Sequence, residues 1–299
     1  MMQVLSGSIV ALVTPMNEDG SVDFNAIKKL VDWHVKEGTS GIVAVGTSGE
    51  SATLEIDEHL EVIKSVVKYA DGRIPVIAGS GSNSTAQAIK TTSESYKIGA
   101  DYSLLVTPYY NKPSQKGLIE HYLKIADSCD IKQILYNVPS RTSCDLRPDT
   151  VEILSRHENI IGIKESVNTK ERMKKLKNIS DLNKDFLVFS GDDETFIDLL
   201  SIGGSGVVSV AANVIPKAIS KICMHYADDK NRAIDLNKQY KNLYKLLFVE
   251  SNPIPVKWMM YKMGLIKNSI RLPLIELDKK YHENIINEML KLQLLWSMY

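Results

Sequence analysis

Residues 75–106 read PVIAGSGSNSTAQAIKTTSESYKIGADYSLLV and form the pattern of one strand–helix–strand unit. The apolar runs at the two ends, Pro75–Gly79 and Tyr102–Val106, lack polar alternation, which is typical of strands buried on both faces. Between them, Ser84 or Thr85 is a suitable N-cap for a helix. Two buried strands joined by a helix indicate a parallel sheet.

The same unit recurs along the chain. Six further short apolar runs are each followed by a loop and a helical pattern, namely Ser8–Val13, Gly41–Gly46, Ile134–Asn137, Ile160–Lys164, Phe186–Ser190 and Gly206–Val210. Further helix start signals are Asp23, Ser114 and Pro148. Glycines suited to end helices stand at Gly38, Gly72, Gly99 and Gly203. Eight units within about 225 residues favour a closed (β/α)8 barrel, an α/β fold, over a doubly wound sheet.

From about Asp228 the alternation of strands and helices stops. Three helical segments are predicted there, over Asn231–Phe248, Pro253–Met263 and Ile275–Ser297. We therefore predict two domains, a catalytic barrel over residues 1–227 and a C-terminal helical domain over residues 228–299. The C-terminal helices are a suitable place for oligomer contacts or for a lid.

The composition excludes several classes of function. The chain has 36 basic and 36 acidic residues, so no net charge attracts it to nucleic acid or to a membrane surface. Three widely spaced cysteines do not suggest a disulfide framework or a zinc site. The amino terminus has no basic segment and only a strand-length apolar stretch, so we expect no signal peptide and a cytoplasmic protein.

The active site of such a barrel lies at the carboxyl ends of the strands, where hydroxyl groups and one lysine are expected. Lys164 ends the apolar run IIGIK. Its amine either extends into solvent or lies desolvated at the barrel mouth, where the neutral, nucleophilic form would be favoured. Gly46–Ser51, GTSGES, is either a turn with a helix cap or an anion site formed by backbone N–H groups and the hydroxyls of Thr47 and Ser48.

Two further candidates follow the fifth strand. Tyr136 is either a core tyrosine or a phenol at the barrel mouth, and Arg141 is either a solvated loop residue or a bidentate carboxylate clamp. No H-x-x-x-H pair occurs among the six histidines, so no metal site is predicted. The segment Gly79–Ser84, GSGSNS, lacks the third glycine of a dinucleotide fingerprint.

Taken together, these segments resemble a known family. SGSIVALVTPM, GTSGESATL, RIPVIAGSGSN, TPYYNKPSQKGL, YNVPSRT, IGIKES, SGDDETF and GGSGVVSVAANV occur in this order, and the set is similar to the dihydrodipicolinate synthase family. The similarity runs from about Gly7 to the carboxyl end, within a superfamily that also contains N-acetylneuraminate lyase. It implies a class I aldolase-type lyase that condenses pyruvate with L-aspartate 4-semialdehyde in diaminopimelate and lysine biosynthesis. It also implies a homotetramer that needs no cofactor.

The resemblance assigns catalytic roles to four residues. Lys164 would form the Schiff base with pyruvate. Thr47, Tyr136 and Tyr110 match the proton-relay residues of the family, with Tyr110 expected to reach in from a neighbouring subunit. Arg141 and the pair Tyr109–Tyr110 favour a synthase within the superfamily.

Four further residues match substrate-binding positions. Ser48 matches the hydroxyl that holds the pyruvate carboxylate, although the family commonly has threonine there. Arg141 matches the residue that receives the carboxylate of the semialdehyde. Gly191 matches a backbone contact near that second substrate, and Val208 an apolar position beside the lysine.

Family members that are inhibited by L-lysine bind it in a cleft between subunits. The matching positions are Ser51, Ala52, Ile56, His59, Asn83, Gln87 and Tyr109. Lysine-sensitive relatives typically have histidine in place of Ile56 and glutamate in place of Gln87. We therefore expect weak inhibition or none, and the alternative role of these residues is packing at the helix surface and the interface.

Two other functions remain open on the sequence alone. The first is another pyruvate-dependent lyase on the same barrel, acting on a sialic acid or a keto-sugar acid. The second is a non-enzymatic binding or structural barrel, which would be expected to lack Lys164 or Tyr136.

Overall fold

The computed structural model describes residues 5–295 and contains a closed barrel of eight parallel strands. Each strand pairs with its neighbours in sequence, and the first pairs with the eighth. The strands are β1 Gly7–Ala11, β2 Gly41–Ala44, β3 Val76–Gly79, β4 Tyr102–Val106, β5 Lys132–Asn137, β6 Ile160–Glu165, β7 Leu187–Ser190 and β8 Gly206–Ser209. All eight predicted runs are strands, so the predicted (β/α)8 barrel is confirmed.

Helices alternate with the strands around the outside of the barrel. They are α1 Phe24–Lys36, α2 Ile56–Ala70, α3 Thr85–Ile98, α4 Gln115–Ala126, α5 Pro139–Thr142, α6 Pro148–Leu154, α7 Lys170–Leu182, α8 Phe196–Ser201 and α9 Pro216–Asp228. The side chains of Asp23, Ser84 and Ser114 each accept a backbone hydrogen bond at a helix start, as predicted. Pro148 is the first residue of α6.

The glycines that were predicted to end helices all have left-handed backbone angles. Their φ values are 79° at Gly38, 68° at Gly72, 99° at Gly99 and 88° at Gly203. Residues with a Cβ atom are strained in this region, whereas glycine is not. These four stop signals are confirmed.

The C-terminal segment, residues 229–295, differs in detail from the prediction. Its helices are α10 Lys230–Lys238, α11 Lys241–Leu246, α12 Ile254–Lys262 and α13 His282–Lys291. The single helix predicted over Asn231–Phe248 is wrong, because a turn at residues 239–240 divides it into α10 and α11. The helix predicted from Ile275 is wrong at its start, because a 3₁₀ turn over Lys279–Tyr281 precedes α13. Its predicted last residues, from 296, lie outside the described range.

Two layers of apolar side chains hold the molecule together. Inside the barrel, side chains from alternate positions of the strands form one cluster, which includes Ile9, Ile77 and Phe189. A second cluster lies between the strands and the helices and continues into the C-terminal segment, where Trp258 and Ile285 belong to it. The C-terminal segment is therefore anchored on the barrel by shared core packing. Across residues 5–295, no helix has the length and apolar composition needed to cross a membrane.

Candidate active site

A cavity of about 220 Å³ opens at the carboxyl ends of the barrel strands. Six of the predicted site residues line it, namely Thr47, Ser48, Tyr136, Arg141, Lys164 and Gly191. The loops after β2, β5, β6 and β7 therefore converge on one site, as the barrel topology requires. Within residues 5–295, no group of three or more His, Cys, Asp or Glu side chains could hold a metal ion.

Lys164 lies near the end of β6 and points into this cavity. Its side chain is 6% exposed, so it does not extend into solvent. The register of the sheet places it directly beside Tyr136 of β5, and its Nζ atom lies 4.0 Å from the centre of the Tyr136 ring. A Cβ atom on Gly191 would lie 3.1 Å from Lys164 Cε, so the glycine leaves room for the lysine chain.

The phenol of Tyr136 is surrounded by groups that favour its ionised form. Burial alone raises the pKa of this tyrosine. The positive charges of Lys164 and Arg141 and the hydroxyl groups of Thr47 and Ser166 act in the opposite direction, and the pKa of Tyr136 is lowered from its ordinary value of 10.0. The tyrosine is therefore suited to exchange protons with a substrate held at Lys164.

The loop Gly46–Ser51 forms a tight turn directly after β2. The backbone N–H groups of Gly49 and Glu50 donate to the carbonyl oxygens of Gly46 and Thr47. Ser48 is 2% exposed, and its Oγ atom accepts a hydrogen bond of 2.9 Å from the side-chain amide of Asn252 in the C-terminal segment. The turn thus presents two hydroxyl groups to the cavity from a fixed backbone.

The same loop is anchored by a buried ion pair that the sequence did not suggest. Glu50 has a left-handed φ of 57° and a fully buried side chain, and its carboxylate pairs with Lys257 of α12. Lys257 Nζ also donates to the carbonyl oxygen of Thr14, and the backbone N–H of Arg271 donates to Glu50. Burial lowers the pKa of Lys257, and the charge of Glu50 offsets part of this effect.

A second unforeseen network lies beside Lys164. Glu165, the next residue on β6, accepts hydrogen bonds from the Asn137 amide and pairs with Arg172 at 3.0 Å. Arg172 also pairs with Asp145 at 2.6 Å. Burial raises the pKa of Glu165, while the backbone N–H of Val167 and the arginine charge partly oppose this. This network ties β5, β6 and α7 together directly beneath the site.

Arg141 lies at the exposed mouth of the cavity, on the short helix α5. Its Nη2 atom donates to the carbonyl oxygen of Asn252 at 3.3 Å. Among the ion pairs formed by residues 5–295, none involves Arg141. Its charge is therefore available to a carboxylate that enters the cavity.

Two predicted site residues do not line this cavity. Val208 is 2% exposed and packs in the barrel interior, and its role as an apolar position beside the lysine stays a prediction. Val210, two residues further along the chain, does line the cavity. Tyr110 is 89% exposed and does not line the cavity of its own chain, and its role across an interface stays a prediction.

The residues predicted to bind L-lysine lie on the loops and helices beside β2, β3 and β4. The ring of His59 contacts the carbonyl oxygen of Gly79 at 2.8 Å, and burial lowers the pKa of this histidine. Asn83 donates to the carbonyl oxygen of Tyr109 at 3.2 Å. Gln87 donates to Thr91 within α3. Ser51 and Ala52 belong to the 3₁₀ turn Ser51–Thr53, and whether these residues bind a ligand stays a prediction.

Comparison with known proteins agrees with this geometry. Residues 4–292 match the family model described as the dihydrodipicolinate synthetase family. The chain is 53% identical over 281 residues to the 4-hydroxy-tetrahydrodipicolinate synthase of Pseudomonas aeruginosa, which covers 94% of this chain and 96% of the relative. The crystal structure of the Acinetobacter baumannii dihydrodipicolinate synthase in complex with pyruvate is 49% identical, with a TM-score of 0.94, and the match covers 97% of this chain and 100% of that one.

A third match is a monomeric dihydrodipicolinate synthase variant, with 37% identity, a TM-score of 0.95 and 98% of each chain covered. The family model spans nearly the whole chain, and the relatives match in both sequence and fold. The chain therefore belongs to the dihydrodipicolinate synthetase family.

Proposed function

We propose that this chain is a 4-hydroxy-tetrahydrodipicolinate synthase, an aldolase-type lyase that condenses pyruvate with L-aspartate 4-semialdehyde through a Schiff base on Lys164. The observation that carries the proposal is the buried Lys164 amine, 4.0 Å from the ring of Tyr136, in a cavity lined with hydroxyl groups. The relatives favour this function over a sugar-acid lyase, since two that are 52% and 53% identical over 94% of the chain are named as 4-hydroxy-tetrahydrodipicolinate synthases.

The chemistry begins with the neutral amine of Lys164. It attacks the ketone carbon of pyruvate, and the Tyr136 phenol delivers a proton to the oxygen, which leaves as water when the carbinolamine becomes an imine. Loss of a methyl proton converts the imine to an enamine, because the nitrogen accepts the electron pair. The methyl carbon then attacks the aldehyde carbon of the second substrate. Finally the amino group of that substrate attacks the imine carbon, closes the ring and releases Lys164.

Thr47 and Tyr110 complete the proton relay in this proposal. The Thr47 hydroxyl lies against the Tyr136 phenol and lowers its pKa. Tyr110 would join from a neighbouring copy of the chain, because its side chain is 89% exposed and does not line the cavity of its own chain. The proposed assembly is a homotetramer, which sedimentation velocity measures directly.

Different residues would bind the carboxylates of the two substrates. Ser48, at the turn after β2, would donate to the carboxylate of pyruvate. Arg141, at the exposed mouth, would bind the carboxylate of the semialdehyde, with the backbone of Gly191 on the opposite side of the cavity. Both substrates are small charged metabolites, and we place the enzyme in the cytoplasm, where such metabolites are formed.

Borohydride reduction tests the proposal. Incubation with pyruvate and borohydride should inactivate the protein and add a reduced pyruvate adduct to Lys164, which peptide mass spectrometry locates. Lys164→Ala should give no adduct, whereas Lys170→Ala, at an exposed lysine near the same strand, should react like the unaltered protein. An adduct on another lysine, or none, would overturn the mechanism. Turnover should be unchanged by EDTA, because the imine, and no metal ion, accepts the electrons.

A further inference from the structure

Asn252 connects the two groups to which we assign substrate carboxylates. It lies between α11 and α12, is 5% exposed and lines the cavity. Its side-chain Nδ2 atom donates to Ser48 Oγ at 2.9 Å, and its main-chain oxygen accepts from Arg141 Nη2 at 3.3 Å. One residue of the C-terminal segment thus contacts both the turn after β2 and the arginine after β5.

The direction of the first hydrogen bond matters for anion binding. A serine hydroxyl has one proton to donate and lone pairs that accept. Because the Asn252 amide donates, the Ser48 oxygen acts as the acceptor and its proton is not used in this contact. Among residues 5–295, no group accepts a hydrogen bond from the Ser48 hydroxyl. The proton therefore remains available to an anion in the cavity.

The other end of the Asn252 amide has no hydrogen-bond partner among the described residues. Asn252 Oδ1 is buried and has no hydrogen-bond partner within the described range of the chain. A buried carbonyl oxygen without a partner is destabilising, since it has lost its water without gaining a donor. A side chain held at this cost, with its N–H₂ group directed at Ser48, points to a role in the site.

We propose that Asn252 is a positioning residue that orients the Ser48 hydroxyl for the carboxylate of pyruvate. The inference rests on the proposed function, because it assumes that pyruvate binds at Ser48 and reacts at Lys164. Asn252 acts through Ser48 and does not itself take part in the chemistry. Removal of its amide should weaken the binding of pyruvate and leave the rate of trapping at saturating pyruvate nearly unchanged.

The experiment measures borohydride trapping on Lys164 as a function of pyruvate concentration. Asn252→Ala should raise the half-saturating concentration of pyruvate about tenfold, because the hydroxyl that binds the carboxylate loses the hydrogen bond that orients it. Asn252→Asp keeps nearly the same shape but places a carboxylate next to Ser48. This carboxylate would accept the serine proton and repel the carboxylate of pyruvate. Asn252→Asp should therefore raise the half-saturating concentration of pyruvate further than Asn252→Ala does.

Coupling to Ser48 separates this role from a merely structural one. Asn252→Ala should have no further effect on the half-saturating concentration in a Ser48→Ala background, because the group that it orients is gone. The matched control is Asn237→Ala, which removes another buried amide of the C-terminal segment, one that accepts from Tyr244. It should lower the urea midpoint and leave pyruvate binding unchanged.

Three results would overturn the inference. They are unchanged pyruvate binding in both Asn252 variants, a weaker effect of Asn252→Asp than of Asn252→Ala, or fully additive effects of Ser48→Ala and Asn252→Ala. The unaltered protein distinguishes these failures from a failure of the proposed function. If it forms no adduct on Lys164 at any pyruvate concentration, the function is wrong, whereas a normal adduct with unaffected variants rejects only the role of Asn252.

Discussion

The strand ends of the barrel and the C-terminal segment both border the same cavity, yet they bring different kinds of groups to it. The barrel contributes Lys164 and Tyr136 from paired positions on neighbouring strands. The C-terminal segment contributes Asn252, which contacts Ser48 and Arg141, and Lys257 pairs with Glu50 behind the turn after β2. In the proposed mechanism the barrel groups react with substrate, whereas the C-terminal groups hold barrel residues in place.

This difference has a physical origin. Strand ends in a closed barrel are fixed by hydrogen bonds on both sides, so side chains at these ends are rigid without further support. The turn Gly46–Ser51 has no such ladder and includes the left-handed residue Glu50. It therefore depends on contacts from outside the barrel, and the buried Glu50–Lys257 pair is one of them. The following predictions test how far the site depends on that support.

The largest effect on stability is expected from Lys257→Met. The substitution leaves the Glu50 carboxylate buried without its cation, and loss of one partner of a buried pair costs about 3–5 kcal/mol. Urea unfolding should show this loss in the free energy of unfolding. The double variant Glu50→Gln/Lys257→Met should lose much less, because no unpaired charge remains in it.

An exposed ion pair provides the control for this measurement. Lys28 and Asp32 form an i, i+4 pair on α1 at 3.1 Å, with side chains that are 61% and 40% exposed. Lys28→Met should change the free energy of unfolding by less than about 0.5 kcal/mol. A loss in Lys257→Met no larger than that in Lys28→Met would show that the C-terminal segment does not support the turn energetically.

The barrel could be predicted closely from the sequence because its signals are local. Buried strands are short runs of β-branched and small residues, and left-handed glycines such as Gly99 end the helices between them. The boundary between α10 and α11 lacks such punctuation. The turn at residues 239–240 contains neither glycine nor proline, and the contact of Tyr244 with Asn237 across it depends on tertiary packing.

The site likewise contains residues that the sequence predicted and contacts that it did not. Lys164 and Tyr136 lie near the carboxyl ends of strands, and Thr47 and Ser48 lie in the turn after β2, so their convergence was predictable from topology. The contacts of Asn252 with Ser48 and of Lys257 with Glu50 join residues about 200 positions apart, for which the local pattern carries no signal.

The next largest effect is expected from Tyr110→Phe, which tests whether the barrel of one chain is sufficient for the chemistry. The substitution removes a hydroxyl from the proposed proton relay, and kcat should fall roughly 100-fold with unchanged stability. If Tyr110 acts across an interface, mixing Tyr110→Phe with Lys164→Ala subunits should restore part of the activity. No recovery after demonstrated subunit exchange would mean that each site uses only its own tyrosine.

Arg141→Ala should have a smaller and more selective effect. Loss of a charge-assisted carboxylate contact costs about 1.5–3 kcal/mol, or roughly one to two decades in kcat/KM for the semialdehyde. Pyruvate trapping should survive, because Arg141 is not assigned to pyruvate. Loss of trapping with an unchanged KM for the semialdehyde would show that the arginine has been assigned to the wrong substrate.

The smallest effect concerns L-lysine, at a surface of the barrel where the C-terminal segment has no assigned role. Gln87 occupies the position where lysine-sensitive relatives have glutamate, and its amide donates to Thr91. A neutral amide in place of a carboxylate forfeits about 1–2 kcal/mol of ligand binding, a factor of roughly five to thirty. We therefore expect weak inhibition of the unaltered enzyme by L-lysine, and a gain in sensitivity of that size in Gln87→Glu.

The control is Gln239→Glu, at an exposed position in the C-terminal segment. It adds the same charge elsewhere and should not change the sensitivity to L-lysine. Titration of L-lysine into the activity assay decides the matter: half-inhibition of the unaltered enzyme well below ~1 mM would contradict the expected weak binding, and an equally insensitive Gln87→Glu enzyme would contradict the electrostatic reason for it.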